Sequence, residues 1–231
     1  MAIYLTGDTH REFHRIQQFC ERMETTTDDI MIILGDAGIN YYCDHRDNNL
    51  KNELADLPIT LFCIHGNHEE RPYLTGNYEE KEWHGAIAYI EEAYPNLIFA
   101  KDGEIYDFNG KKAIAIGGAY SIDKYYRLSN GWQWFESEQA DEEIRAYVES
   151  QLENCDWQVD YVFSHTVPIE YEPVWAFIPG VDQRRIDKSM EKWLQRIADN
   201  LDFEMWYAGH YHVESEEEGV RIMFEDYEEL V

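Results

Sequence analysis

No apolar run in this 231-residue chain approaches the ~20 residues needed to span a bilayer, so no membrane-crossing helix is expected. Cysteine is scarce. Cys20, Cys43, Cys63 and Cys155 are scattered, with no CxxC pair and no zinc-finger spacing. That excludes a disulfide framework and a thiolate zinc site, and the thiols read as reduced, in a cytosolic protein. Positive charge is scarce too. The 19 Lys and Arg residues face 47 Asp and Glu residues, a net charge of −28. A surface that negative repels phosphate backbones and anionic lipid, which argues against long nucleic acid and membranes as partners. Met1-Ala2 leads straight into a β-rich run, so no secretory leader is expected and the expected location is the cytoplasm. Repeats, linkers and low-complexity stretches are also missing, which fits a single domain over residues 1–231.

What is present is a globular composition. Hydrophobic residues make up 44% and charged residues 29%, too apolar for a disordered chain. Aromatics reach 15%, with 17 Tyr and 7 Trp; their first reading is amphipathic filling of core and interface.

The apolar pattern alternates between two periods. Ala2–Thr6, Asp29–Leu34 and Ile59–Ile64 are β-rich runs. Between them, His14–Glu24 and Leu50–Leu57 read as helices, the second closed by Pro58. Strand, helix, strand, helix, strand argues for βαβ units and a parallel-rich sheet. Further on, Leu97–Ala100, Glu104–Phe108 and Lys111–Ile116 read as strands, with Asn109-Gly110 as a hairpin turn. Ser137–Leu152 and Asp187–Asp199 read as helices; Val159–Phe163, Phe203–Ala208 and Val220–Phe224 read as strands. The expectation is two sheets packed face to face with helices outside.

Ligand-type residues follow five of these strands at once. They are Asp8 and His10, Asp36, Asn67 and His68, His165, and His210 with His212. Sites in open α/β sheets gather at the carboxyl ends of strands, so distant parts of the chain can converge there. Gly7, Gly35, Gly66 and Gly209 precede these residues and permit sharp turns and close backbone approach. Carboxylate, imidazole and amide oxygen suit manganese, iron, zinc or nickel better than a thiophilic ion. The donors are too many for one tetrahedral zinc and fit two ions. Two ions ~3.5–4 Å apart can activate a hydroxide between them and hold phosphate oxygens for in-line attack.

The blocks Gly7-Asp8-Thr9-His10, Gly35-Asp36, Gly66-Asn67-His68-Glu69, Ser164-His165 and Gly209-His210-Tyr211-His212 resemble, in order, those of the calcineurin-like metallophosphoesterase superfamily. The resemblance spans residues 7–212 and is of the small bacterial or phage type. It implies a four-layer αββα sandwich of two mixed sheets flanked by helices. It implies that Asp8, His10, Asp36 and His212 hold one metal, and that Asp36, Asn67, His165 and His210 hold the other. His68 would contact the scissile phosphate and protonate the leaving oxygen. Manganese is the first expectation for both ions, with iron, zinc or nickel as alternatives.

The chain departs from the family pattern twice. Arg11 stands where glycine often follows the first histidine, at a cost in turn freedom or with a side chain facing the substrate. Ala37-Gly38-Ile39-Asn40-Tyr41 stands where protein serine/threonine phosphatases carry Asp-Arg-Gly, so the phosphate-gripping arginine of that branch is absent. The expected activity is metal-dependent hydrolysis of phosphomonoesters or phosphodiesters of small substrates, nucleotide-like ones included. The alternatives are a nuclease acting on nucleic-acid ends and a non-catalytic metal-binding interaction module.

Some residues lie outside the blocks. His65 reads as a packed strand histidine. The stretch Tyr120–Phe135 is aromatic and basic within an acidic chain. It reads as a substrate-shaping loop in which Lys124, Tyr125 and Arg127 meet substrate, or as a tucked loop or homodimer contact. Arg71 either reaches a bound phosphate or pairs with Glu69 or Glu70.

Overall fold

The computed structural model describes residues 1–230. The first half runs β1 (Ile3–Thr6), α1 (His14–Met23), β2 (Ile30–Ile33), α2 (His45–Ala55), β3 (Thr60–Cys63), α3 (Pro72–Thr75), β4 (Glu79–Trp83), β5 (Ala86–Ile90) and β6 (Leu97–Ala100). The second runs β7 (Ile105–Phe108), β8 (Lys111–Ile116), α4 (Lys124–Asn130), α5 (Glu142–Asn154), β9 (Tyr161–Ser164), α6 (Ser189–Ala198), β10 (Met205–Ala208), β11 (Ser215–Glu217), β12 (Val220–Ile222) and β13 (Glu228–Glu229).

Two mixed sheets result, with strand orders β13-β1-β2-β3-β6-β5-β4 and β11-β12-β10-β9-β8-β7. In the first, β1, β2, β3 and β6 run parallel; in the second, β12, β10, β9 and β8 do. Side-chain alternation then builds four layers. Ile30 and Ile32 of β2 enter the core between the sheets with Leu5, Phe62 and Phe163. Met31 and Ile33 of the same strand face α1 and α2, against Ile16, Phe19 and Leu54. Ala113 and Ala115 face the inter-sheet core, while Ile114 and Ile116 meet Val148 of α5 and Trp193 and Ile197 of α6. Strands buried on both faces must be apolar throughout, which is why β2 reads Ile-Met-Ile-Ile. The fold is an αββα sandwich, and no described helix is long and apolar enough to cross a membrane.

Several boundaries differ from the sequence expectation. Helix α2 begins at His45, because the Asp44 side chain caps it by accepting from the Arg46 N–H. The expected helix from Ser137 splits into a short 3-10 turn and α5, which starts at Glu142 where Asp141 caps the Ile144 N–H at 2.9 Å. The β4–β5 hairpin is an addition to the expected elements. Its turn is His84-Gly85, both with positive φ (50° and 77°), the backbone a two-residue hairpin needs. The charged run Glu79-Glu80-Lys81-Glu82 conceals β4, which lies at the sheet edge where charge is tolerated.

Candidate metal centre

Parallel pairing brings the carboxyl ends of β1, β2 and β3 side by side, and likewise those of β9 and β10. Every ligand-type residue named from the sequence leaves one of these five strand ends. Two clusters form. Asp8, His10 and His212 make one, and Asp8, Asp36 and His165 make the other, with donor atoms within 4.8 Å of one another. His212 Nε2 lies 3.1 Å from Asp8 Oδ2, and His10 Nε2 lies 3.5 Å from the same oxygen. Asp36 faces both clusters: Oδ2 is 3.7 Å from His10 Nδ1 and Oδ1 is 3.6 Å from His165 Nε2. Asn67 Oδ1 is 2.8 Å from His165 Nε2. The His210 ring stands 5.0 Å from that of His165, centroid to centroid.

Backbone geometry at the site is unusual. His10, Arg11, Asp36, His210 and His212 all have positive φ, between 46° and 72°. Such conformations cost about 1–3 kcal/mol each in a non-glycine residue and persist only where the surroundings impose them. Two glycines are obligatory for close approach. A Cβ on Gly35 would fall 2.0 Å from the His165 ring, and one on Gly66 would fall 2.0 Å from Asp36 Oδ1. Arg11 resolves the first sequence departure. It holds φ 72° and sends its guanidinium to the Gly38 carbonyl and Asp47, across the ring of Tyr42. The turn strain is offset by anchoring this loop to α2.

Electrostatics suit cations. Burial alone would raise Asp8, but His165 and the hydrogen bonds of His10 and His212 hold it well below the usual carboxylate range. Burial would also raise Asp36; His165 and His68 hold it down. Desolvation, then the neighbouring His165, pushes His210 down to about 3, so its ring is a neutral donor. The tautomer of His165 is fixed. Its Nδ1 lies 2.8 Å from the Leu34 carbonyl, which only accepts, so Nδ1 keeps a proton and Nε2 is the nitrogen that can give one up to a metal. Asn67 Nδ2 donates to Ser121, which turns Oδ1 toward that same Nε2. With the Nε2 proton displaced, two lone pairs converge there, an arrangement that suits a cation. On this chemistry the residues fit a metal.

His68 sits beside the clusters. Its Nε2 is 3.8 Å from Asp36 Oδ2, and its backbone N–H donates to Asp36 Oδ1 at 2.8 Å. Arg127 Nη2 lies 3.4 Å from His68 Nε2, and Asp123 holds the same guanidinium at 2.8 Å. Of the residues named in the aromatic stretch, Arg127 reaches the centre. Lys124 instead lies over the Trp134 ring at 3.7 Å, and Tyr125 is 72% exposed on α4. Arg71 is placed elsewhere. Its buried guanidinium pairs with Asp102 and donates to the Ser137 carbonyl, tying the His68 loop to the second sheet. The sequence offers no sign of Asp102 as its partner, 31 residues away. His65 is buried as expected, but it lies two residues past the end of β3 rather than in the strand.

Two supporting residues escape the sequence reading. Arg15 donates to the Gly7, Asp8 and Phe224 carbonyls and so clamps the first ligand loop. Glu69, fully buried, accepts from the Gly38 N–H at 3.0 Å and the Gly66 N–H at 3.2 Å. Burial and Asp36 push its carboxyl up to about 8. It joins the loops that carry Asp36 and Asn67. Glu69→Leu leaves two buried donors unpaired and is expected to destabilise the fold by about 2–5 kcal/mol in urea unfolding. Glu69→Gln, which keeps an acceptor, is expected to lose clearly less.

A two-sheet α/β sandwich with carboxylate–imidazole clusters at converging strand ends defines a metal-binding phosphoesterase class. The chain belongs to the calcineurin-like phosphoesterase family, whose model matches residues 1–214. None of the curated proteins matches it in sequence. Among solved structures it is similar to the protein TT1561 of Thermus thermophilus, at 10% identity and a TM-score of 0.55, covering 99% of this chain and 97% of that one. It is also similar to the phosphopantetheinyl hydrolase PptH from Mycobacterium tuberculosis, at 14% identity and a TM-score of 0.52, covering 96% and 88%. At such identities the likeness is one of fold.

Proposed function

We propose that the chain is a metal-dependent phosphoesterase acting on phosphomonoesters or phosphodiesters of small molecules. The observation that carries this is His68, which stands 3.8 Å from Asp36 at the edge of two ligand clusters and faces an open cavity. In this reading Asp8, His10, Asp36 and His212 hold one divalent ion, and Asp36, Asn67, His165 and His210 hold a second. Manganese is the first choice for a donor set of oxygen and imidazole. When bound, the ions supply charge for the phosphate oxygens and acidify water.

The remaining work falls to side chains. Burial and Arg127 lower His68, while Asp36 opposes them. A phosphate dianion bound beside the imidazole favours its protonated form, so His68 gains its proton as substrate arrives. It then donates to the leaving oxygen. Arg127, held by Asp123, offers a second N–H to the phosphate. Arg127→Ala is expected to raise KM by about tenfold, one lost charge-assisted hydrogen bond. Lys124→Ala, with its ammonium over Trp134, is expected to leave KM within about twofold.

The function is tested with purified protein, manganese or nickel, and nitrophenyl and bis-nitrophenyl phosphates. Turnover that requires added metal is the expected result. Metal-loaded protein inert toward both ester classes and a nucleotide panel would sink the reading. The net charge of −28 favours small substrates over polymers. The proposed setting is the cytoplasm, with no nucleic-acid partner.

A further inference from the structure

One cavity of about 430 Å³ opens on Asp36, Asn67 and His68 and runs back along residues 176–191. Its size suits a nucleoside-sized group, and its position suits the leaving group of an ester whose phosphate lies at the ligand clusters. The far walls are apolar and aromatic: Ile122, Phe177, Ile178, Ile186, Tyr120 and Tyr211. Phe177 and Tyr211 are nearly parallel, 16° apart with centroids at 6.3 Å. That spacing leaves no room for a ring between them but offers a flat face.

Two acceptors break this apolar surface. Glu191 is 3% exposed, and its Oε2 has no hydrogen-bond partner. Gln183 Oε1, also lining the cavity, is buried and equally without a partner. The donors nearby do not reach these two oxygens, although the Lys188 ammonium in the cavity wall keeps N–H groups beyond its bond to Glu172. Thr166 Oγ1 donates to Glu191 Oε1 at 3.0 Å, Tyr211 Oη lies 3.1 Å from Glu172 Oε1, and Lys188 pairs with Glu172. Burial pushes the Glu191 carboxyl up to about 7, so its ionised Oε2 and the Gln183 amide oxygen are acceptors that solvent answers in the free cavity. A ligand that displaces this solvent must bring N–H or O–H donors on an apolar body.

We propose that Glu191 and Gln183 are specificity-determining residues that accept hydrogen bonds from N–H donors of the substrate's leaving group, a flat, largely apolar moiety seated against Tyr211 and Phe177. The inference rests on the phosphoesterase reading for its word "leaving group", but not for the pocket itself. Two chemical sources supply such donors: the amino and imino edge of a heterocycle such as guanine, or an ammonium carried on an aromatic ring. A site with unpaired acceptors discriminates strongly against an analogue that lacks the donors, because the acceptors then stay desolvated and unpaired.

The test uses the full chain as purified, with manganese, and titrates it calorimetrically with three probes that cannot turn over. Guanosine carries adjacent N–H donors, purine riboside is a purine nucleoside with none on its base, and phenethylamine carries an ammonium. The expected result is that guanosine or phenethylamine binds at least about tenfold more tightly than purine riboside. Guanosine ahead assigns the heterocycle edge, and phenethylamine ahead assigns the ammonium. Glu191→Leu is expected to abolish the preference while leaving purine riboside affinity unchanged. Gln183→Met, on a part-exposed 3-10 turn, is expected to weaken the preference and covers the case that the buried substitution fails to fold. Equal binding of all three probes, or a preference that survives both substitutions, overturns the proposal. Nitrophenyl phosphate hydrolysis, measured in parallel, separates the two ideas. A binding preference with no turnover overturns the phosphoesterase reading and keeps the pocket assignment. Turnover without preference does the reverse.

Discussion

His68→Ala is expected to lower kcat on a nitrophenyl phosphate ester by about 10²–10⁴-fold, the usual share of a general acid. Metal content is expected to stay unchanged, because His68 is not among the proposed ligands and its Nε2 lies 3.8 Å from Asp36 Oδ2, beside the clusters. The side chain approaches Asp36 at 3.8 Å, and its own backbone N–H braces Asp36 Oδ1. Alanine keeps that backbone donor and removes only the imidazole. The substitution therefore separates proton donation from ligand positioning. A poor leaving group needs the proton more than nitrophenolate does, so the deficit should widen on an alkyl phosphate. A variant that loses metal along with activity would show that His68 holds an ion. A variant with kcat unchanged on both esters would remove it from the reaction.

The centre is legible in the sequence because its chemistry is local. Each candidate ligand follows a β-rich run within a few residues, and strand ends in parallel sheets point the same way. What stays hidden depends on contacts between distant residues. Arg71 looks like a phosphate ligand from its spacing, yet its guanidinium pairs with Asp102, far along the chain. Glu69 sits inside a recognisable block, but its two acceptor bonds reach Gly38 and Gly66, and only the folded loops define them. The hairpin at His84-Gly85 escapes notice because β4 is charged and the histidine disguises a two-residue turn. The basic, aromatic stretch stands out in the sequence as unusual. Which of its cations reaches the centre depends on their partners: Asp123 holds Arg127 beside His68, while Lys124 lies over the Trp134 ring. Glu191 gives no signal at all: a glutamate in the first turn of an amphipathic helix reads as a dipole-favoured surface residue.

Asp36→Asn and Asp8→Asn are expected to differ, and the difference identifies the carboxylate shared by the two ions. Asp8 belongs to both clusters by proximity. Its Oδ2 faces His212 and His10, however, while its Oδ1 is occupied by the His210 N–H at 2.9 Å. Asp36 divides its oxygens between the clusters, Oδ2 toward His10 and Oδ1 toward His165. Losing the Asp36 charge therefore weakens both ions, and losing that of Asp8 weakens chiefly the one beside His10 and His212. Elemental analysis after dialysis is expected to find close to no metal in Asp36→Asn and about one ion per chain in Asp8→Asn, with affinity at each weakened site down by more than about 100-fold. Activity should be lost in both, since in-line chemistry needs the pair. The opposite order of metal loss would assign the shared carboxylate to Asp8. Full occupancy in both variants would refute the ligand assignment, because neither carboxylate would then be needed to hold an ion.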